Sequence, residues 1–427
     1  MFILFIMMKF DVSFTDIGLS PIVEISEFVN SVIAPKFERE TGKPFIRIQR
    51  GDVGFKVPEY VVSALVKAYS DEKLMRYPKS GGEFVFKDAV LKTLSESGID
   101  NLNPRNILCT HGGQEGLQLV FSLFRGGRAV GFDPVWSCML ENVLPYSRFK
   151  IDLVPFEGRD LSLNFRTLED RLSKIPERQK NPHSKKGVLY LNNPHNPTGR
   201  IFSREELSRI NELCLKYKFM IVSDEAYNDV VFDGKKHVSM LEFDGEHIVS
   251  VFTLSKTFSA TGHRIGYTVC RDEDLIEKIT RGNYTQTAGV ATATQHAFSV
   301  ALGDKEKKDE WISYMLSELQ RRRDAIYEKL EDILPYEVYN PQGAFYFFLN
   351  LNPSFKNIPL RERDNFISNE FYKNGVVAIP GPAFSKGKKC ETRDERKFRG
   401  YVRISYSMVN TDACLEGVER IQSSFSR

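Results

Sequence analysis

Along the middle of this chain, short apolar runs alternate with helical patterning, and each run ends abruptly in polar or turn-forming residues. Ile107 to Thr110 is followed by a Gly-rich turn and an apolar-periodic run from Glu115 to Phe124. Ala129 to Phe132 stops at Asp133-Pro134, and Gly187 to Leu191 stops at Asn192-Asn193-Pro194. Phe219 to Ser223 and Ile248 to Phe252 continue the series. Between them, Ser203 and Glu206 form a capping box heading a helix whose Leu207, Ile210, Leu213, Cys214 and Tyr217 share one face. Strands separated by helices pair through crossovers. The pattern therefore predicts an α/β domain, a mostly parallel sheet flanked by helices.

A chain of 427 residues is long for one such domain and suits two. Ile312, Met315, Leu316, Leu319, Ile326, Leu330 and Ile333 give one apolar stripe to a helix from about Asp309 to Leu334. Gly343 to Leu349 and Tyr401 to Ser405 then read as strands of a smaller α+β domain. The expected division is an N-terminal segment over 1–50 joining the small domain, a large domain over 51–308, and a bridging helix with the small domain over 309–427.

Lys plus Arg number 59 and Asp plus Glu 56, so the net charge of +3 gives no reason to expect nucleic acid or an acidic membrane as partner. No G-x-G-x-x-G and no phosphate-loop lysine motif is present, which weighs against a common nucleotide fold. The six cysteines form no C-x-x-C pair and several sit in apolar, strand-like or helical runs, as buried thiols of a reducing compartment do. The apolar start, Met1 to Met8, lacks a basic region and a cleavage site and is too short to span a bilayer; Met7 or Met8 is an alternative start. A cytoplasmic protein without a bound metal is expected.

The residues with chemistry sit just past the strands: Gly112-Gly113-Gln114, Trp136, Asn196, Asp224 and Lys256. In open α/β sheets, ligands bind beyond the carboxyl ends of the strands, so these loops should converge. A lysine after a buried strand sits where desolvation lowers its pKa, and a neutral amine attacks an aldehyde. Alone, Lys256 would pass for a solvated surface residue. Thr253, Ser255 and Arg264 nearby make two hydroxyls and a guanidinium, a phosphate clamp. Gly112-Gly113-Gln114 opens a helix, whose first amides favour phosphate, although a Gly-Gly pair also marks any tight turn. Arg403 interrupts the apolar run Tyr401 to Tyr406, and a central-strand arginine needs a partner, either a structural carboxylate or a ligand.

The stretch Ser255-Lys256-Thr257-Phe258-Ser259-Ala260-Thr261-Gly262-His263-Arg264-Ile265-Gly266-Tyr267 resembles the signature of the class I/II pyridoxal-phosphate-dependent aminotransferases of fold type I. His263 stands where tryptophan is common, and Thr253 replaces the first serine. Asp224-Glu225-Ala226-Tyr227, Asn193-Pro194-His195-Asn196-Pro197-Thr198-Gly199 and Arg403 extend the resemblance, in order, from about Phe14 to the last strands.

The resemblance implies the fold-type-I architecture, with a seven-stranded-type sheet and a smaller α+β domain, and pyridoxal 5'-phosphate as cofactor. It implies Lys256 as Schiff-base lysine and proton shuttle. Arg264, Thr253, Ser255, Gly113 and Gln114 would hold the phosphate, the backbone mattering more than the side chain at Gln114. Asp224 would sit beside the pyridine nitrogen, Tyr227 and Asn196 beside the phenolate oxygen, and Trp136 on the ring face unless it is simply core. Arg403 and Asn196 would bind the substrate carboxylate, with Gly18 nearby. Tyr77 would reach the phosphate of the neighbouring subunit in a homodimer. The implied reaction is a ping-pong transfer of an amino group from an L-amino acid to a 2-oxo acid. A carbon–sulfur β-lyase and an aminotransferase-like transcription regulator stay as alternatives. His195 is a rival base, although Lys256 already serves that need. An aspartate donor needs a second cation, which this reading does not assign; aromatic or branched donors stay open.

Overall fold

A computed structural model of the chain describes residues 17, 19–176, 187–334, 338–385 and 397–425. Gly18 and the N-terminal start lie outside them, and so does Cys390. The first strand, β1 (Ile46–Arg47), pairs in parallel with β11 (Val376–Val377). The large sheet is built from β2 (Ile107–Thr110), β3 (Arg128–Asp133), β4 (Lys150–Glu157), β5 (Ser162–Leu163), β6 (Gly187–Asn192), β7 (Phe219–Asp224), β8 (Ile248–Thr253) and β9 (Gly266–Cys270). Their order is β2-β9-β8-β7-β6-β3-β4-β5. The run β8-β7-β6-β3-β4 is parallel throughout; β9 runs antiparallel between β8 and β2.

The five runs read from the sequence are β2, β3, β6, β7 and β8. Strand β4 was missed because its burial is mixed and it lacks a continuous apolar stretch. β5 adds a two-residue antiparallel fringe beyond the seven-stranded sheet. Parallel strands are buried on both faces, and apolar clusters line each one. One contains Phe86, Val130, Leu189, Ile221, Phe258 and Phe298; the other contains Leu117, Val120, Tyr190, Val222 and Val249.

The remaining strands, β10 (Tyr346–Asn350), β12 (Ile379–Pro380) and β13 (Tyr401–Ser405), form a three-stranded antiparallel sheet in the order β10-β13-β12. β10 starts at Tyr346 rather than at Gly343, because Gly343 makes an isolated bridge to Val231 and Ala344 adopts a φ of 54°. Its core joins Ile46, Ile48 and Val53 to Met315, Leu330, Phe347, Ile404 and Val418. The long helix runs Lys305–Ile333, earlier at its start than its apolar stripe shows, because Asp304 caps it through the Lys307 amide. N-terminal, bridging and C-terminal segments thus share one core, which draws residues 46–53 and β13 together above the large sheet.

Candidate active site

The carboxyl ends of β6, β7 and β8 open into a cleft of about 260 Å³. Trp136, Asn196, Asp224, Tyr227, Thr253, Ser255, Lys256, Arg264, Arg403, Gly113 and Gln114 all line it. Eleven of the thirteen site residues expected from sequence are therefore brought together. Of the other two, Gly18 lies outside the described residues, and Tyr77 is 94% exposed, away from the cleft.

Lys256 lies in a single helical turn, Leu254–Thr257, that starts directly after β8. Thr253 caps this turn and its hydroxyl donates to Ser255 Oγ at 2.9 Å. Lys256 Nζ donates to the carbonyl of Gly51 at 2.5 Å. Burial pushes its ammonium down to about 8; Asp52 opposes that shift, while Arg264 and Arg403 add to it. An amine held in this range is available as a base or nucleophile near neutral pH.

Asp224 closes β7 and is buried. The Tyr190 hydroxyl donates to its Oδ2 at 2.8 Å and the Ala226 amide to its Oδ1 at 3.3 Å. Burial outweighs both bonds and pushes the carboxyl up to about 6. No ion pair to Asp224 is found among the described residues, so a cationic ligand group would complete it. The neighbouring Glu225 has a different role: it accepts from Ser250 and Met240 and contacts His237, fixing the strand end.

Asn196 binds two cleft residues. Its Oδ1 accepts from Arg403 Nη1 at 3.0 Å, and its Nδ2 donates to the Tyr227 hydroxyl at 3.4 Å. Arg403 is 1% exposed on β13, with Nη2 donating to the Gln49 carbonyl at 2.7 Å. Its guanidinium lies 4.3 Å from the Tyr346 ring centre and 4.9 Å from that of Phe384. Its Nε is buried without a partner, and no carboxylate ion pair to it is found among the described residues. Burying an unpaired charge is expensive, so this fork is built for an anion from outside the chain.

At the opposite end, the helix Gly112–Leu123 points its first amides into the cleft. Gly112 has a φ of +74°, and a Cβ there would meet Arg264 Nη2 at 3.0 Å. Arg264 is itself left-handed, φ 52°, and exposed; its guanidinium donates to the carbonyls of Thr261 and His111. Such a backbone is costly for a non-glycine residue, and residues held this way cluster at ligand sites.

His195 does not line the cleft. It is buried, bonds Thr198 Oγ1 at 2.8 Å through Nδ1, and packs on Phe156; burial pushes it down to about 3. A neutral imidazole so placed shapes the loop and is no rival base. His263 contacts the Phe298 ring. Sequence reasoning missed Gly51, Gln49, Tyr346, Ile22 and Val23. Gly51 carried a signal only in retrospect: a Cβ there would lie 2.1 Å from Tyr346 Oη.

The family described as aminotransferase class I and II matches residues 44–421. A probable aspartate/prephenate aminotransferase of Aquifex aeolicus is 28% identical over 393 residues, 90% of this chain and 92% of its own length. An LL-diaminopimelate aminotransferase of Natranaerobius thermophilus is 30% identical over 396 residues, 91% and 94% of the two chains. In fold, the chain is similar to the aspartate aminotransferase of Thermus thermophilus solved with maleate, with a TM-score of 0.84, 22% identity, and coverage of 98% of this chain and 100% of that one. A half-buried lysine at about 8 and a buried arginine without a carboxylate partner among the described residues, lining one cleft, thus stand in a chain that belongs to the class I and II aminotransferase family and is a transaminase.

Proposed function

We propose that the cleft holds pyridoxal 5'-phosphate on Lys256 and moves an amino group from an L-amino acid to a 2-oxo acid in ping-pong fashion. Lys256 carries this reading: it is a desolvated amine between a buried carboxylate and two cationic forks. The donor set fits the group. Helix amides, Thr253, Ser255 and Arg264 suit a phosphate, and Asp224 lacks the cation that a protonated ring nitrogen supplies. When bound, the cofactor supplies an aldehyde that captures the amino group and a ring that takes up the electron pair left on Cα.

The chain's residues do the rest. Arg403, with Asn196, grips the α-carboxylate and fixes the donor's orientation. With the cofactor bound, Lys256 would be the base that takes the proton from the donor's Cα and hands it on. Asp224 would hold a positive charge at the cofactor's ring nitrogen, and Tyr227 and Asn196 would donate toward its phenolate oxygen. Trp136, which lines the cleft, would cover one face of the ring and keep water from it.

The segment carrying Tyr77 exposes Val66, Met75, Tyr77 and Phe84, large apolar side chains that a partner could cover. We read it as the face of a homodimer in which Tyr77 completes the partner's phosphate site. We retain the division into 1–50, 51–308 and 309–427. Gly18 remains a candidate substrate neighbour. The cytoplasm is the proposed location, since Cys109, Cys138, Cys214, Cys270 and Cys414 are free thiols. Among the described residues no helix is long and apolar enough to cross a membrane, and no cluster is placed to hold a metal.

The decisive experiment is Lys256→Ala. It should remove borohydride-trappable cofactor and the visible band of the loaded protein, and cut turnover by roughly 10⁵ or more. Full turnover in that variant would refute the assignment.

A further inference from the structure

We infer that Tyr190 is a positioning residue for Asp224: its hydroxyl fixes one carboxylate oxygen and leaves the other to a cationic ring atom in the cleft. The inference rests on the proposed function, because it takes that atom to be the cofactor's ring nitrogen. Tyr190 and Asp224 are buried within this chain's own large sheet, at 1% and 5% exposure, so their contact needs no neighbouring subunit.

The sequence puts a phenol where packing asks only for a ring. Tyr190 lies in the apolar strand β6, between Leu189 and Leu191, and its ring centre is 6.4 Å from that of Phe121. A phenylalanine would fill the same space, whereas a buried hydroxyl is costly without a partner. The strand register supplies that partner. Tyr190 pairs with Val222 of β7, and Asp224 follows Val222 by two residues, on the same face of the sheet. The phenol thus reaches along the sheet to Asp224 Oδ2 at 2.8 Å. Asp224 lines the cleft; Tyr190 stands behind it and does not.

This bond settles the freedom that remains to Asp224. The Asn192 side chain and the Asn193 amide both donate to the Asp224 carbonyl at 3.0 Å, which holds the backbone. The carboxylate has a 3.3 Å bond from the Ala226 amide and the shorter one from Tyr190. The shorter bond also favours the charged form. Burial raises the carboxyl's pKa, Tyr190 is the strongest influence against that rise, and Glu225 adds to it. Burial and Asp224 raise the phenol's own pKa well above its usual value, so it stays a donor. Tyr227 and Cys138 are raised as well and stay neutral; Lys256, Arg264 and Arg403 are the cations lining the cleft among the described residues.

Binding and titration of the full chain test the inference without turnover. Equilibrium dialysis of the cofactor-free protein compares pyridoxal phosphate with its deaza analogue, in which a ring C–H replaces the nitrogen. The unaltered protein should prefer the nitrogen compound by about 100-fold, and Tyr190→Phe should reduce that preference about tenfold. In an Asp224→Ala background the same substitution should change either affinity by no more than about twofold. The infrared carboxyl band lost in Asp224→Ala should titrate at about 6 in the unaltered protein, and about one pH unit higher in Tyr190→Phe. Full preference retained in Tyr190→Phe, an unmoved carboxyl titration, or an equal loss with and without Asp224 would overturn the inference. An unaltered protein indifferent to the ring nitrogen would instead refute the assignment of Asp224 to that nitrogen, and the inference would fall with it.

Discussion

The two arginines of the cleft contrast in almost every physical respect. Arg264 is exposed, comes from a left-handed position in a turn, and is held by backbone carbonyls. Arg403 is buried on a strand, stacked on Tyr346 and Phe384, and fixed by the Gln49 carbonyl and Asn196. The difference matches the two anions assigned to them. A phosphate keeps its cofactor bound for many turnovers, already has hydroxyls and helix amides, and tolerates water. A substrate carboxylate must be recognised afresh in each half-reaction, so its partner gains from a dry, fixed geometry in which one fork is read strongly.

If that contrast is real, the two sites should fail differently. Arg403→Ala should lower kcat/KM by about 10³ for every donor, and Arg403→Lys should restore little, because an ammonium is not a planar fork. Cofactor affinity should stay within a few-fold; an equal loss of cofactor would merge the two ends. Arg264→Ala should weaken pyridoxal phosphate by about 10- to 100-fold, while leaving the affinity for phosphate-free pyridoxal nearly unchanged. Equilibrium dialysis with both compounds separates these outcomes.

Lys256 lies in the same cleft, and its pKa is set mainly by burial, with Arg264 and Arg403 adding to the shift. Its folded pKa is lowered to about 8, so its neutral fraction falls tenfold for each pH step below that value. The rate at which the cofactor-free protein captures pyridoxal phosphate should rise with pH and flatten near 8. A rise continuing to about 10 would mean a solvated lysine. The smallest effect concerns salt. Raising ionic strength from about 0.05 to 0.5 M should weaken the Arg264 contribution by a few-fold and leave that of Arg403 almost unchanged, because screening acts on exposed charges. Equal sensitivity would erase the distinction.

The sequence was informative where one local segment carries its own meaning. Strand β8, Thr253, Ser255 and Lys256 lie in a continuous stretch, and the capping box at Ser203 and Glu206 forms as its spacing predicts. Strand β4 escaped because its alternation is imperfect, and Gly343 was placed in a strand although its backbone turns there. His195 looked reactive in a polar loop; its burial and its bond to Thr198 are decided by how that loop folds over Phe156.

By itself the sequence determined the α/β class and the family resemblance and singled out Lys256 as the proposed reactive lysine, since strand-end motifs are local in the chain. Only the tertiary structure decided what surrounds that lysine. Its partner, the Gly51 carbonyl, is 205 positions away, and the Gln49 carbonyl that fixes Arg403 is 354 positions from it. Desolvation, and with it the lysine's lowered pKa, is a property of packing between distant segments, and no local pattern encodes it.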